Sequence, residues 1–487
     1  MKFKYINIVF LFFFGIFFCN AQKNEKPLNI VLILADDQGA HLSAMGTPGI
    51  STPNVDALAK NGMLFTNAFA VVASCSPSRS SIMTGMYPHA NGHWRNTITP
   101  TLDEPDSEFG RNSNTVDEVG IHEYLETLPE IFQDHGYFTA ITQKFHMSPP
   151  WKFPFSARNS VHNDPQKYKK VISEFIEEAG EKPFFFQANV APPHRPFKSH
   201  MDTFPQFLPN IDSIKVPEYL ADTPEMKKDL QEYYGSVQLA DACAGAIIET
   251  LREKGLLENT LIIYTGDQGE PYHRSKASAY YAGLHVPFVV SGPGVKKNIN
   301  SEALVSLIDI MPTFLDYSNL KIPESVQGKS LRPILLGRAE KVAGRKYVFG
   351  EHNSHGPARA EHYPSRIVFD GRYYYIHNLM HGKSYELPAD LKQELVWGNH
   401  SYQATLNAKE SHPVQYRLLK TLENGRPEEE LYDMQNDHGQ LKNLAAEPEF
   451  QNKLKELRSV LKRWRARTGD TADDPLDIKT RQLEAEN

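Results

Sequence analysis

The 487-residue chain holds only three cysteines, Cys19, Cys75 and Cys243. So few thiols exclude a disulfide-stapled scaffold, and stability has to come from a buried core. Positive charge is not in excess either. Lysine and arginine number 52 against 59 aspartates and glutamates, for a formal net charge of -7. That balance excludes general nucleic-acid binding and makes any positive field local to a site. Beyond the N-terminus no apolar run reaches membrane length. Internal repeats and low-complexity tracts are missing as well. What is left is an ordinary folded-protein composition, long enough for one large α/β domain and a smaller unit.

The N-terminus begins Met1-Lys2-Phe3-Lys4, followed by an apolar run over residues 6–18 and then Cys19-Asn20-Ala21. This predicts a secretory signal over residues 1–21, cleaved after Ala21, and an exported protein, periplasmic or secreted. Removal of the signal leaves Cys75 and Cys243. Cys243 lies in a helical stretch and reads as a small buried residue. An exported thiol at Cys75 is prone to oxidation, a hint that it does not stay a thiol.

Apolar, β-rich runs occur at residues 29–34, 137–142, 183–188, 261–264 and 286–290. Helical patterns at 55–61, 125–135, 167–179, 227–256 and 308–317 alternate with them. The alternation predicts an α/β fold: a large mixed, mostly parallel sheet sandwiched by helices, over residues 27–340. Residues 102–122 and 196–224 read as loops over the sheet. Composition shifts near residues 332–346. A hairpin with an Asp370-Gly371 turn follows, and a tail helix carries Leu454, Leu457, Leu461 and Trp464 on one face. Residues 345–487 therefore read as a smaller C-terminal α+β subdomain with an antiparallel sheet and a terminal helix.

Polar residues cluster just past the strand ends. Asp36-Asp37-Gln38-Gly39 follows the first strand and Asp267-Gln268-Gly269 follows a later one. Lys144-Phe145-His146 and Pro193-His194-Arg195 sit at two others. Ligands of open α/β sheets bind outside the carboxyl ends of strands, so these segments are expected on one rim. Asp36, Asp37, Asp267 and the Gln268 amide oxygen are hard donors that suit Ca²⁺, with Mg²⁺ second. A lone acidic pair reads as loop capping, but two near-copies after buried strands favour a metal.

Cys75-Ser76-Pro77-Ser78-Arg79 predicts a helix start. Pro77 fits a first turn, and Gly85 and Pro88 end the helix. Cys75 then lies at a helix N-terminus that favours anions, and Arg79 shares its face four residues on. This pentapeptide resembles the signature of the type I sulfatases of the alkaline-phosphatase superfamily. Glu430-Leu431-Tyr432-Asp433 and Lys442-Asn443-Leu444-Ala445 resemble the family too. Within it, Ser74 to Arg79, Asp267-Gln268-Gly269 and Tyr363-Pro364-Ser365-Arg366 lean toward the heparan N-sulfatase (sulfamidase) branch.

The resemblance implies that a maturation enzyme oxidises Cys75 to formylglycine (3-oxoalanine). Asp36, Asp37, Asp267, Gln268 and the modified Cys75 would then ligate calcium. Gln268 stands where the family more often has Asn. Arg79 would steady the formylglycine, Lys144, His146 and His194 match the family's lysine and histidines, and Lys276 matches a sulfate-binding lysine. The sulfamidase branch has an arginine at that last place, so Lys276 favours a sulfate ester over an N-sulfo group. In the implied mechanism the hydrated aldehyde attacks sulfur, His194 protonates the leaving group and His146 takes a proton for release. The partner would be a sulfated carbohydrate. His352, His355, Arg359 and Arg366 are expected at a sugar or at the domain interface, and His89 and His93 at the pocket border. Two rival readings remain: a phosphomonoester or phosphonate-ester hydrolase of the same superfamily, and a non-catalytic glycan-binding homologue.

Overall fold

A computed structural model describes residues 27–97, 119–161, 163–356 and 358–471. The expected signal segment lies outside these residues, as does most of the acidic stretch at 102–122.

The centre is an eight-stranded sheet. Its strands are β1 (Asn29–Ala35), β2 (Met63–Phe65), β4 (Phe138–Thr142), β5 (Ala157–Asn159), β6 (Phe184–Val190), β7 (Thr260–Gly266), β8 (Phe288–Ser291) and β9 (Ile299–Ser301). The order is β5-β4-β6-β1-β7-β8-β2-β9. Strands β5, β4, β6, β1 and β7 run parallel, whereas β8 is antiparallel to both β7 and β2. The sheet is thus mixed and mostly parallel. A small parallel pair joins β3 (Ala68–Phe69) to β10 (Val305–Ser306).

Strand β1 shows why continuous apolar runs mark the centre. Ile30, Leu32 and Leu34 enter one core, and Val31, Ile33 and Ala35 enter the other. Successive side chains point to opposite faces, so a strand covered on both sides needs apolar residues at every position. Helices Pro165–Ala179 and Pro224–Glu253 cover one of these faces through Tyr168, Ile172, Leu239 and Ile247. Residues 196–224 were read as loop and in fact hold the helix Phe197–Thr203 and two short helical turns. Pro205 opens one of these turns, where the missing N–H is tolerated.

A four-stranded antiparallel sheet follows, ordered β11 (Val348–Ser354), β12 (His362–Phe369), β13 (Tyr373–Asn378) and β14 (Glu429–Asp433). The Asp370-Gly371 turn joins β12 to β13, and Gly371 takes φ 98°. The last helix, Gln451–Thr468, buries Leu454, Leu457, Leu461 and Trp464. Trp464 stacks on Phe349 at 4.9 Å and meets Tyr87 edge-on at 4.9 Å. Val71, Val72, Tyr87 and Ile308 share that core with Val368, Tyr375 and Leu431. The second sheet is therefore packed directly against the first structural layer.

Candidate active site

The carboxyl ends of β1, β6, β7 and β4 deliver polar segments to one place. Asp36 N donates to Val190 O at 3.0 Å, and Asp267 N donates to Ala35 O at 3.0 Å. These bonds continue the ladder past the strands and fix both acidic turns. Asp37 takes φ 63°, a left-handed conformation that aspartate tolerates better than most residues. His146 takes φ 45°. Unusual backbone of this kind gathers where side chains must be aimed.

The signature helix is Cys75–Thr84, and all ten of its residues are buried. Pro77 lies in its first turn, and Gly85 closes it at φ 65°. A Cβ on Gly85 would lie 2.8 Å from Val326 Cγ1. Ser78 Oγ donates to Asp267 O at 2.5 Å, which ties the helix to the β7 turn.

Cys75 Sγ lies 3.6 Å from Asp36 Oδ1, 3.9 Å from Asp37 Oδ1 and 3.2 Å from Gln268 Nε2. Asp36, Asp37, Cys75 and His194 each offer one ligand atom within 4.8 Å of one another. Cations surround this acidic core. Lys144 Nζ reaches Asp36 Oδ2 at 2.8 Å, and Lys276 Nζ reaches Asp37 Oδ2 at 2.8 Å. Arg79 reaches Asp267 at 2.8 Å and Asp36 at 3.5 Å. Burial alone would raise the Asp36 carboxyl. Lys144, His194, Arg79 and Lys276 outweigh it and hold the group well below the usual carboxylate range.

Gln268 Nε2 donates to Asp37 Oδ1 and faces Cys75, while its Oε1 is buried without a hydrogen-bond partner. Turning this amide over would exchange its nitrogen for the orphaned oxygen beside Asp37 and Cys75, which is the arrangement a hard cation needs. Asp267 is engaged differently. Its Oδ1 accepts from Asp37 N at 3.0 Å and Gln268 N at 2.9 Å, and its Oδ2 holds Arg79.

The two histidines present opposite ring edges. His146 Nε2 donates to Thr97 O at 3.0 Å, leaving Nδ1 buried and unpartnered. Burial first, then Lys144 and Arg79, holds His146 well below the usual imidazole range. His194 Nδ1 donates to Arg195 O at 2.6 Å, so Nε2 faces Lys276 Nζ at 3.5 Å and Asp37 Oδ2 at 3.7 Å. The His194 loop is held by the fully buried pair Arg195–Asp229 at 2.6 Å. Burial pushes the Cys75 thiol up to about 12, against the pull of Lys144 and Lys276. An encoded thiol here stays protonated at neutral pH and is a poor nucleophile.

Of the other expected residues, His355 stays at the pocket within reach of the charges of Asp390 and Lys276, and the rest are placed elsewhere. Arg366 is 1% exposed and spends its guanidinium on Asp470, through Nε and Nη2 both at 2.8 Å, and on Asn353 at 2.9 Å. Of its two expected places, a sugar or the domain interface, these contacts fit the second, since its donors are taken inside the protein. His352 is fully buried and edge-on to Tyr385 at 6.1 Å, which likewise removes it from a sugar. His355 supports the signature helix, with Nδ1 2.9 Å from Ser74 Oγ. His89 pairs with Glu351 and His93 with Ser80 Oγ, so both serve structure. The Arg359 side chain lies outside the described residues.

Two residues that sequence reasoning missed also reach the site. Asp390, on the short helix Ala389–Lys392, lies 2.6 Å from Lys276 Nζ through its Oδ2. The Trp397 ring sits 5.9 Å from the His194 ring. Both are more than a hundred positions away from their partners in sequence, and no local pattern marks them.

The sequence model of the Sulfatase family matches residues 28–320. The chain belongs to the sulfatase family. A second model, N-sulphoglucosamine sulphohydrolase, C-terminal, matches residues 269–427 of this sulfatase. It is 30% identical to the N-sulphoglucosamine sulphohydrolase of Homo sapiens, with 91% of each chain covered. It is also 30% identical to an ulvan-active sulfatase of Formosa agariphila, covering 93% of this chain and 76% of that one. Among solved structures, one in complex with its substrate D-glucosamine-2-N,6-O-disulfate superposes with a TM-score of 0.66. That match covers 92% of this chain and all of the other at 19% identity, a likeness of fold. Among the described residues no helix is long and apolar enough to cross a membrane.

Proposed function

We propose that this sulfatase is exported and removes sulfate groups from a sulfated polysaccharide or its oligosaccharides, using a formylglycine at position 75 and a divalent cation, Ca²⁺. One observation carries the reading. Cys75 Sγ lies within 3.9 Å of two carboxylates, each of which is gripped by a lysine. A nucleophile, an anionic metal cradle and cations for sulfuryl oxygens thus meet in one buried pocket.

Asp36, Asp37 and the Gln268 amide oxygen would hold the cation, with Asp267 bracing their backbone. The cation supplies Lewis-acid stabilisation of the sulfuryl oxygens. Formylglycine supplies a nucleophilic oxygen together with a route to its own regeneration, which serine lacks. Lys144 and Lys276 place ammonium groups against the developing charge. His194 Nε2 is the candidate general acid, since its other nitrogen is committed to Arg195 O. His146 remains neutral near pH 7, and its unpartnered Nδ1 is free to accept a proton. The lysine at 276 favours a sulfate ester over an N-sulfo group.

The test joins chemistry to mass. Purified protein is assayed on an aryl sulfate, an aryl phosphate, ulvan oligosaccharides and N-sulfoglucosamine, and the Cys75 peptide is weighed. Faster hydrolysis of sulfate than of phosphate, with an aldehyde in place of the thiol, is expected. Full activity with an unmodified thiol overturns the mechanism. A mature N-terminus at Gln22 in an exported fraction would support the signal.

A further inference from the structure

Lys276 is held from two sides. Its Nζ lies 2.8 Å from Asp37 Oδ2 and 2.6 Å from Asp390 Oδ2. The first carboxylate belongs to the acidic core around Cys75. The second comes from the segment between β13 and β14 and contacts none of the groups proposed to hold a metal. Lys276 is 1% exposed and the Asp390 side chain 10% exposed. Burial alone would raise the Asp390 carboxyl, and the adjacent ammonium outweighs it, so the group stays charged.

An ammonium has three donors. Asp37 and Asp390 direct two of them, and the third is left for the pocket, on the side where His194 Nε2 lies 3.5 Å away and a leaving group would be protonated. Asp390 also sets the charge of the pocket. Arg79, Lys144 and Lys276 face four carboxylates, Asp36, Asp37, Asp267 and Asp390. Without Asp390 the same pocket carries one more positive charge. A sulfate monoester bears a single negative charge, whereas a phosphate monoester above its second pKa, near 6, bears about two.

We infer that Asp390 is a positioning and specificity residue: it aims the Lys276 ammonium at the sulfuryl oxygens and, by its charge, disfavours dianionic phosphate esters relative to monoanionic sulfate esters. This rests on the reading of the pocket as a sulfate site. Its backbone anchor is independent of the carboxylate, because Asn399 Nδ2 donates to the Asp390 carbonyl at 2.9 Å. Asp390→Asn therefore removes charge with little change of shape.

The experiment uses phenyl sulfate and phenyl phosphate as probes at pH 8. Their binding to metal-loaded Cys75→Ala protein is measured by calorimetry, alone and combined with Asp390→Asn or Asp390→Glu. The ratio of phosphate to sulfate affinity is expected to rise in Asp390→Asn by on the order of tenfold, as one unit charge within a few ångström predicts. Asp390→Glu should restore the ratio toward the parent value. In the Cys75-containing enzyme, Asp390→Asn should lower kcat on aryl sulfate more than it raises KM. A parent ratio retained in folded Asp390→Asn, as checked by its melting curve, overturns this proposal and leaves the sulfatase site intact. Failure of both probes to bind the parent overturns the sulfate pocket itself. A change in melting temperature alone, with the ratio unmoved, would reduce Asp390 to a structural brace and also refute the inference.

Discussion

Arg79 and Asp267 meet through a single carboxylate oxygen: Nε at 2.9 Å and Nη2 at 2.8 Å both reach Oδ2. Both side chains are fully buried. The pair welds the signature helix to the turn after β7, and the position of Cys75 depends on it. Replacing one member strands the other as an uncompensated buried charge, at a cost of about 3–5 kcal/mol. Arg79→Met is expected to lose that stability in urea titration and about 100-fold or more in kcat on an aryl sulfate. Arg79→Lys keeps the charge but not the fork, and should recover stability better than turnover.

Cation removal offers a second test. Two carboxylates and the Gln268 amide gather around Cys75. A cation bound to the folded state at about 100 times its Kd adds about 2.7 kcal/mol. Chelation should therefore lower Tm and abolish activity, and Ca²⁺ should restore both. Gln268→Leu, which lacks the amide oxygen, should narrow the Tm gap between loaded and stripped protein. If chelation changes neither Tm nor activity, the cation reading is wrong.

Acid should destabilise the fold through its buried histidines. His285 is held down to about 4 and His273 to about 3, in both cases chiefly by burial. The folded values lie below the unfolded one, so the unfolded chain binds more protons between them. Stability is then complete above about pH 6.5 and falls as pH drops toward 4, by about 2 kcal/mol per histidine at pH 5. His285→Gln should flatten the pH dependence of Tm between pH 7 and 5. An unchanged slope would show that this histidine is not the one being protonated.

Arg366 separates structure from catalysis. Its bidentate contact with Asp470 ties β12 to the residue just beyond the last helix. Arg366→Ala should lower stability by about 3–5 kcal/mol while leaving KM for a glycan nearly unchanged. A large rise in KM at unchanged Tm would return Arg366 to the substrate.

Legibility in the sequence tracked how local the cause was. Strands β1, β6 and β7 were readable because both of their faces are buried, which makes the apolar run continuous. Strands β2, β5 and β9 hold three residues each, too few to show a period. Strand β11 was hidden by Glu351, His352 and Asn353, polar residues that are nevertheless buried and paired or packed. The residues that meet at Cys75 were readable because each follows a strand end or starts a helix. Asp390 and Trp397 were not, since their partners are set by how the segment between β13 and β14 folds back. Arg366 stayed open between a sugar and the domain interface because a charged residue fits either, and its contact with Asp470 points to the second.

The complete burial of the helix Cys75–Thr84 sets an order of events in time. Cys75 is 2% exposed, beneath side chains from four strand ends. Another protein acting on that side chain needs the backbone of the pentapeptide to lie open in its own cleft. The folded molecule never offers this, so such an encounter belongs to the interval between synthesis and folding. If Cys75 is oxidised as proposed, a chain that folds first would be sealed against that step, and only unfolding would give it a second chance.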